Sequence, residues 1–169
     1  MLTPSTAPNP DHHPMRLAIQ ASQHAADKGD GPFGATLVSP EGDILLVAAN
    51  NAKTAADCTG HAEMVLIRQA QTQFGQSALR GAMVFASGAM VFASGEPCAM
   101  CAGALFWAGV GRIVFGASQA DIIEVLGESP AMPINSRQTL AGAQPAVQID
   151  GPVLGDEAVA VLRRAAERH

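Results

Sequence analysis

Asp57-Cys58-Thr59-Gly60-His61-Ala62-Glu63 and, thirty-odd positions later, Glu96-Pro97-Cys98-Ala99-Met100-Cys101 are the stretches on which the reading of this chain turns. They bring three metal-ligating side chains, His61, Cys98 and Cys101, together with one carboxylate, Glu63. Three protein ligands leave a fourth tetrahedral corner of a zinc ion open to water, which separates a catalytic site from a closed structural one. Glu63 lies two residues beyond His61, within reach of that corner without being a ligand, and suits a general base that later acts as general acid. Two other readings compete. Cys98 and Cys101 alone could be a redox pair, and Cys58 would close a structural Cys-Cys-Cys-His site.

The flanking residues place both ligand sets at helix starts. From His61 to Phe74 the apolar positions Ala62, Met64, Val65, Leu66, Ile67 and Ala70 predict a mostly buried helix that Gly75 stops. Thr59 is a candidate N-cap. Pro97 opens a second helix, where a missing N–H costs nothing. A helix N-terminus favours negative charge and so helps hold cysteines as thiolates.

Working outward, residues 15–28 carry apolar side chains at helical spacing and end at Gly29. Residues 33–38 and 44–49 are apolar runs about a turn at 39–43 and predict a hairpin. Further strands are expected at 112–117 and 146–149, with helices at 120–126 and from about 155. Residues 1–14, with Pro4, Pro8, Pro10 and Pro14, read as a flexible lead-in to a single domain at 15–169. Alternating elements of this kind predict a sheet covered by helices on both faces.

One heptad is repeated without change: Gly81-Ala82-Met83-Val84-Phe85-Ala86-Ser87 recurs as residues 88–94. Fourteen residues in one strand would span about 46 Å, too long for a domain of this size. An odd repeat also puts equivalent side chains on opposite faces. The second copy, tied to Cys98 through Gly95-Glu96-Pro97, is therefore expected in the core strand. The first is expected outside it, where its apolar residues would favour self-association.

The His-x-Glu and Pro-Cys-x-x-Cys pattern is a known signature of zinc nucleobase deaminases. From about Met15 to the mid-150s the chain resembles the cytidine-deaminase-like superfamily, in its branch of guanine, small-nucleoside and tRNA adenosine deaminases. The resemblance rests on the two quoted stretches, on Gly31-Pro32-Phe33-Gly34-Ala35, on Asn50-Asn51, on Ala102-Gly103-Ala104 and on Trp107. It implies an α/β fold, three layers α/β/α around a central mixed five-stranded sheet. It also implies one Zn2+ per chain on His61, Cys98 and Cys101, with Glu63 as the proton carrier. By resemblance Asn50 and the Ala62 N–H orient the substrate, Phe33 packs on its flat face, Trp107 lies near the pocket, and the protein is a homodimer. The implied substrate is a small-molecule nucleobase or nucleoside, guanine first. Deamination of cytosine, isocytosine or another small heterocycle, deamination of tRNA adenosine, and an inactive zinc-stabilised scaffold are the competing readings.

The chain departs from the branch in three places. Asp-Cys-Thr-Gly stands where Asp-Pro-Thr-Ala is usual, a heptad is doubled where one copy is usual, and the aromatic tail of guanine deaminases has no counterpart at residues 162–169. Composition narrows the partners. Ten Lys and Arg against fifteen Asp and Glu give a net charge of −5. This argues against nucleic acid, whose binding draws on phosphate neutralisation by basic side chains. Three cysteines argue against a disulfide framework and fit a reducing, cytoplasmic setting. No signal-like opening and no 18-residue apolar run points to a membrane.

Overall fold

In a computed structural model, which describes residues 8–75, 89–127, 132 and 134–168, the chain forms a five-stranded sheet between two layers of helix. The elements run α1 (His12–Asp27), β1 (Gly34–Val38), β2 (Ile44–Ala49), α2 (Ala62–Phe74), β3 (Met90–Gly95), α3 (Ala99–Ala108), β4 (Arg112–Ala117), α4 (Gln119–Leu126), α5 (Ser136–Thr139), β5 (Gln148–Asp150) and α6 (Gly155–Ala166). The strand order is β2-β1-β3-β4-β5. β1 is antiparallel to β2 and to β3, whereas β3–β4 and β4–β5 are parallel, so the sheet is mixed. The parallel pair β3–β4 is joined through α3, as a crossover between parallel strands requires.

Strand alternation divides the core. Val91 on β3 and Ile113 on β4 pack with Leu66, Ile67 and Leu105 of α2 and α3. Their neighbours Phe92 and Val114 point the other way, among Met15, Ile19, Val161 and Leu162 of α1 and α6. All of β3 beyond Met90 is buried, as befits a central strand covered on both faces. Full burial of a side chain such as Phe92 stabilises the fold by roughly 2–3 kcal/mol. On β1, Gly34 has no room for a side chain, since a Cβ there would lie 2.2 Å from the Ala18 carbonyl oxygen. α1 therefore seats directly on the sheet.

β3 consists of second-copy residues with Gly95 added, and Val91 and Phe92 are its core positions. The expectation placed on the first copy, residues 81–87, lies outside the described residues. Three sequence expectations shift. α1 begins at His12, not after Pro14, because a proline within the first turn removes only an N–H that would have no helical partner. The lead-in is shorter by that much, and Asp11 is already engaged, holding the Arg112 guanidinium at 2.8 Å together with Asp150. The last strand covers 148–150, a little beyond the expected 146–149. α5 was not expected at all; four residues are too few for a periodic pattern. No helix among the described residues is long and apolar enough to cross a membrane.

Candidate metal centre and substrate cavity

α2 and α3 deliver the metal-ligating groups from their N-terminal ends. His61 and Cys98 are the cap residues of the two helices, both with extended backbone. Cys101 lies in the first turn of α3 and is fully buried. The two sulfurs stand 3.6 Å (Cys98) and 3.5 Å (Cys101) from His61 Nδ1. A tetrahedral zinc, with bonds of about 2.0–2.1 Å to nitrogen and 2.3 Å to sulfur, sets such ligands about 3.6 Å apart. The spacing fits the ion, and one imidazole with two sulfurs is a donor set zinc takes readily. Among the described residues these three alone form a group of close metal-ligating atoms. Cys58 is outside it, exposed on the loop at the cavity rim, which removes the closed four-ligand alternative.

Taken as protein groups alone, the three perturb one another's protonation. The Cys98 thiol is pushed down to about 4, foremost by the hydrogen bond from Cys101 and then by His61, against its burial. Cys101 is pushed up because it donates that bond and is buried. His61 is raised, chiefly by its contact with Cys98. A zinc ion held by His61, Cys98 and Cys101 would favour both sulfurs as thiolates. Glu63 is buried in the first turn of α2, and burial pushes its carboxyl up.

A cavity of about 500 Å³ opens over this group. Phe33, Asn50, His61, Glu63 and Cys98 line its floor and near side. Ile122, Ile123, Leu126 and Met132 form an apolar outer wall. Gly95 leaves room for the Phe33 ring, which a Cβ there would meet at 2.9 Å, and for Ile122, at 3.0 Å. Asn50 is buried, and its Oδ1 accepts from the Ala52 N–H at 3.0 Å. Its NH2 group is thereby left to donate. Ala62 is fully buried at the start of α2, where a backbone N–H has no acceptor in its own helix. Among the described lining residues there is no Lys and no Arg, while Glu63 and Glu96 bring two carboxyls.

The structure thus gathers His61, Glu63, Cys98, Cys101, Asn50 and Phe33, while Ala62 lies between His61 and Glu63 in sequence and is not part of the cavity lining. It does not bring Trp107 to them. Trp107 sits on the last turn of α3, 70% exposed, edge-on to Phe106, and is absent from the cavity lining. The resemblance had suggested a place near the pocket, but α3 starts at the metal and Trp107 is two turns further on. Sequence reasoning passed over Glu96 and Gln119, which the cavity wall includes.

Residues 8–117 match the family model described as the cytidine and deoxycytidylate deaminase zinc-binding region. A probable cytosine deaminase of Schizosaccharomyces pombe is 36% identical over 151 residues, covering 86% of this chain and 85% of that protein. The guanine deaminase of Bacillus subtilis is 36% identical over 111 residues, covering 65% of this chain and 66% of that protein. Among solved structures, the guanine deaminase from Nitrosomonas europaea superposes with a TM-score of 0.78 at 22% identity, covering 98% of this chain and 88% of that one, a likeness of fold.

Proposed function

The chain belongs to the cytidine and deoxycytidylate deaminase zinc-binding family and is a zinc-dependent hydrolytic deaminase, and from that premise we propose that its substrate is a free nucleobase, guanine first, converted to xanthine and ammonia. The observation that carries this reading is the lining of the cavity: a flat aromatic, an apolar wall, two carboxyls and no cation among the described residues. A phosphate brought into such a cavity would lose its hydration and meet negative charge, a penalty that no contact from the described lining residues offsets. A neutral, flat heterocycle meets none of it. The likeness to guanine deaminases supports the purine within that class.

His61, Cys98 and Cys101 would hold the zinc. When bound, it supplies the positive charge that lets water ionise near pH 7. Glu63 accepts the proton that this water loses. Glu63 passes that proton to a ring nitrogen as the water's oxygen bonds to C2; it then takes the proton of the resulting C2 hydroxyl and gives it to the amine, which leaves as ammonia when the C2–N bond breaks. Burial raises the Glu63 carboxyl, which makes it a better acceptor for the water's proton. The Asn50 NH2 and the Ala62 N–H donate to acceptors on the ring edge, and Phe33 covers a ring face. The walls keep bulk water away from the reacting carbon.

A second reading, cytosine deamination, is favoured by the 36% identity to a probable cytosine deaminase across most of both chains. Ammonia release from guanine, guanosine, adenosine, cytosine and isocytosine decides between them. Cytosine turned over faster than guanine would replace the first reading with the second. Turnover of a phosphorylated substrate would remove the argument from the cavity. We further propose that the protein is a homodimer, joined through the outward face of α3.

A further inference from the structure

Glu96 stands between the metal-binding loop and the outer wall of the cavity. Its own N–H bonds the Ala117 carbonyl at 2.7 Å, fixing the end of β3 against β4. Its two carboxylate oxygens reach two other elements. Oε2 accepts from the Gln119 N–H at 2.9 Å, at the first residue of α4. Oε1 accepts from the Ser136 hydroxyl at 2.7 Å and from the Ser136 N–H at 3.3 Å, at the first residue of α5. Free N–H groups at helix starts favour a negative charge, and bonds to an ionised acceptor are stronger than neutral ones.

Apolar burial holds these two helices only weakly, although α4 also packs on α6 and the Arg137 guanidinium of α5 donates to the Ile149 carbonyl at 2.6 Å. α4 has no fully buried residue, and only Ile122 and Val125 are partly packed on the core. α5 is four residues long with only Ser136 buried. Elements with so little apolar burial belong to the low-stability end of a fold, and polar ties decide where they rest. Yet α4 supplies Ile122, Ile123 and Leu126 to the cavity wall, and Met132 between the helices is held by the Gln119 side chain at 3.1 Å.

We propose that Glu96 is a positioning residue, a clasp that sets the α4–α5 wall against the metal loop and so determines the grip on the substrate rather than the chemical step. This rests on the reading that the cavity takes a nucleobase. Its carboxylate is committed to three donors and is not offered to substrate or metal.

The test uses the zinc-loaded full chain carrying Glu96→Gln or Ser136→Ala. Glutamine has one acceptor oxygen, and its NH2 would face a donor, so at least one tie is lost. For Glu96→Gln the expected result is one zinc per chain, a KM raised about tenfold or more, and a kcat within about threefold of the parent. Hydrogen exchange should quicken at 119–126 and 136–139 while α2 and α3 keep their protection. Ser136→Ala removes one tie and should shift the same quantities less; it also serves if the glutamine variant does not fold. The proposal is overturned by zinc loss in a folded variant, by a fall in kcat with KM unchanged, or by unaltered KM and exchange in both variants. Exchange needs no substrate. A parent protein inert on every base would therefore defeat the guanine reading alone and leave the clasp to be judged on exchange.

Discussion

The Thr54 hydroxyl donates to the Asp30 carboxylate at 2.7 Å, and the Thr54 and Lys53 N–H groups donate to its other oxygen at 3.0 and 2.9 Å. Asp30 is buried, and it pins the loop whose ends are Asn50 and His61. Burial works to raise its carboxyl, but the bonds from Thr54 and Lys53 outweigh it and hold the group below the usual carboxylate range. A folded value below the unfolded one, about 3.9, gives stability that is present above that pH and lost as pH falls through the folded value. Asp30→Asn should therefore cost about 2 kcal/mol at pH 7 and converge with the parent in strong acid. Urea denaturation at the two pH values measures both. Equal stability at pH 7 would show that the carboxylate does not hold the loop.

Glu63→Gln should abolish turnover while sparing the metal. Glu63 is outside the group of ligating atoms, so zinc content is expected to stay at one per chain. Loss of a proton carrier is expected to lower kcat by about 100- to 10,000-fold. Metal analysis beside an ammonia assay reads both. A variant that loses its zinc would make Glu63 a ligand instead.

The site was legible from side-chain chemistry, and its supports were not. His61, Cys98 and Cys101 announce themselves because few other roles call for those residue types at that spacing. The helices that carry them were equally plain, since Gly75 and Pro97 punctuate an apolar pattern. Asp30 gave no signal, and Glu96 stood out only as part of the motif before Cys98, because their donors lie 24 and 40 residues away and only the fold brings them together. The start of α1 was hidden behind Pro14, which sequence reasoning treats as a breaker although the first turn tolerates it. Family likeness placed Trp107 near the pocket, while the length of α3 carries it away.

Deleting residues 81–87 yields one and the same chain whichever copy is regarded as lost. It should leave activity and zinc content within about twofold of the parent. α2 is capped by His61 at the metal-ligating group and runs about 20 Å to Gly75, so the end of the helix nearest the doubled heptad in sequence is the end away from the ligands. The deletion would leave about six residues between Gly75 and Ala89, an ordinary helix-to-strand length. Loss of zinc, or a tenfold fall in kcat/KM, would show that the doubled heptad reaches the site.

α3 has no charged side chain among its ten residues, and apart from Cys101 and the indole N–H of Trp107 they are small or apolar. A helix apolar on every side belongs in an interior. Here only Cys101, Ala102, Leu105 and Ala108 are buried, and Trp107 is 70% exposed. A second copy of the chain laid on that face would supply the missing interior, which is the basis of the proposed homodimer. Trp107→Glu places a charge at its centre, and a charge buried without a partner there is costly. Light scattering should give the parent twice 17.3 kDa and the variant a mass near 17.3 kDa. The residue is remote from the cavity, so the variant should keep its zinc. A parent that is monomeric at micromolar concentration would remove the dimer and leave the apolar face without this explanation.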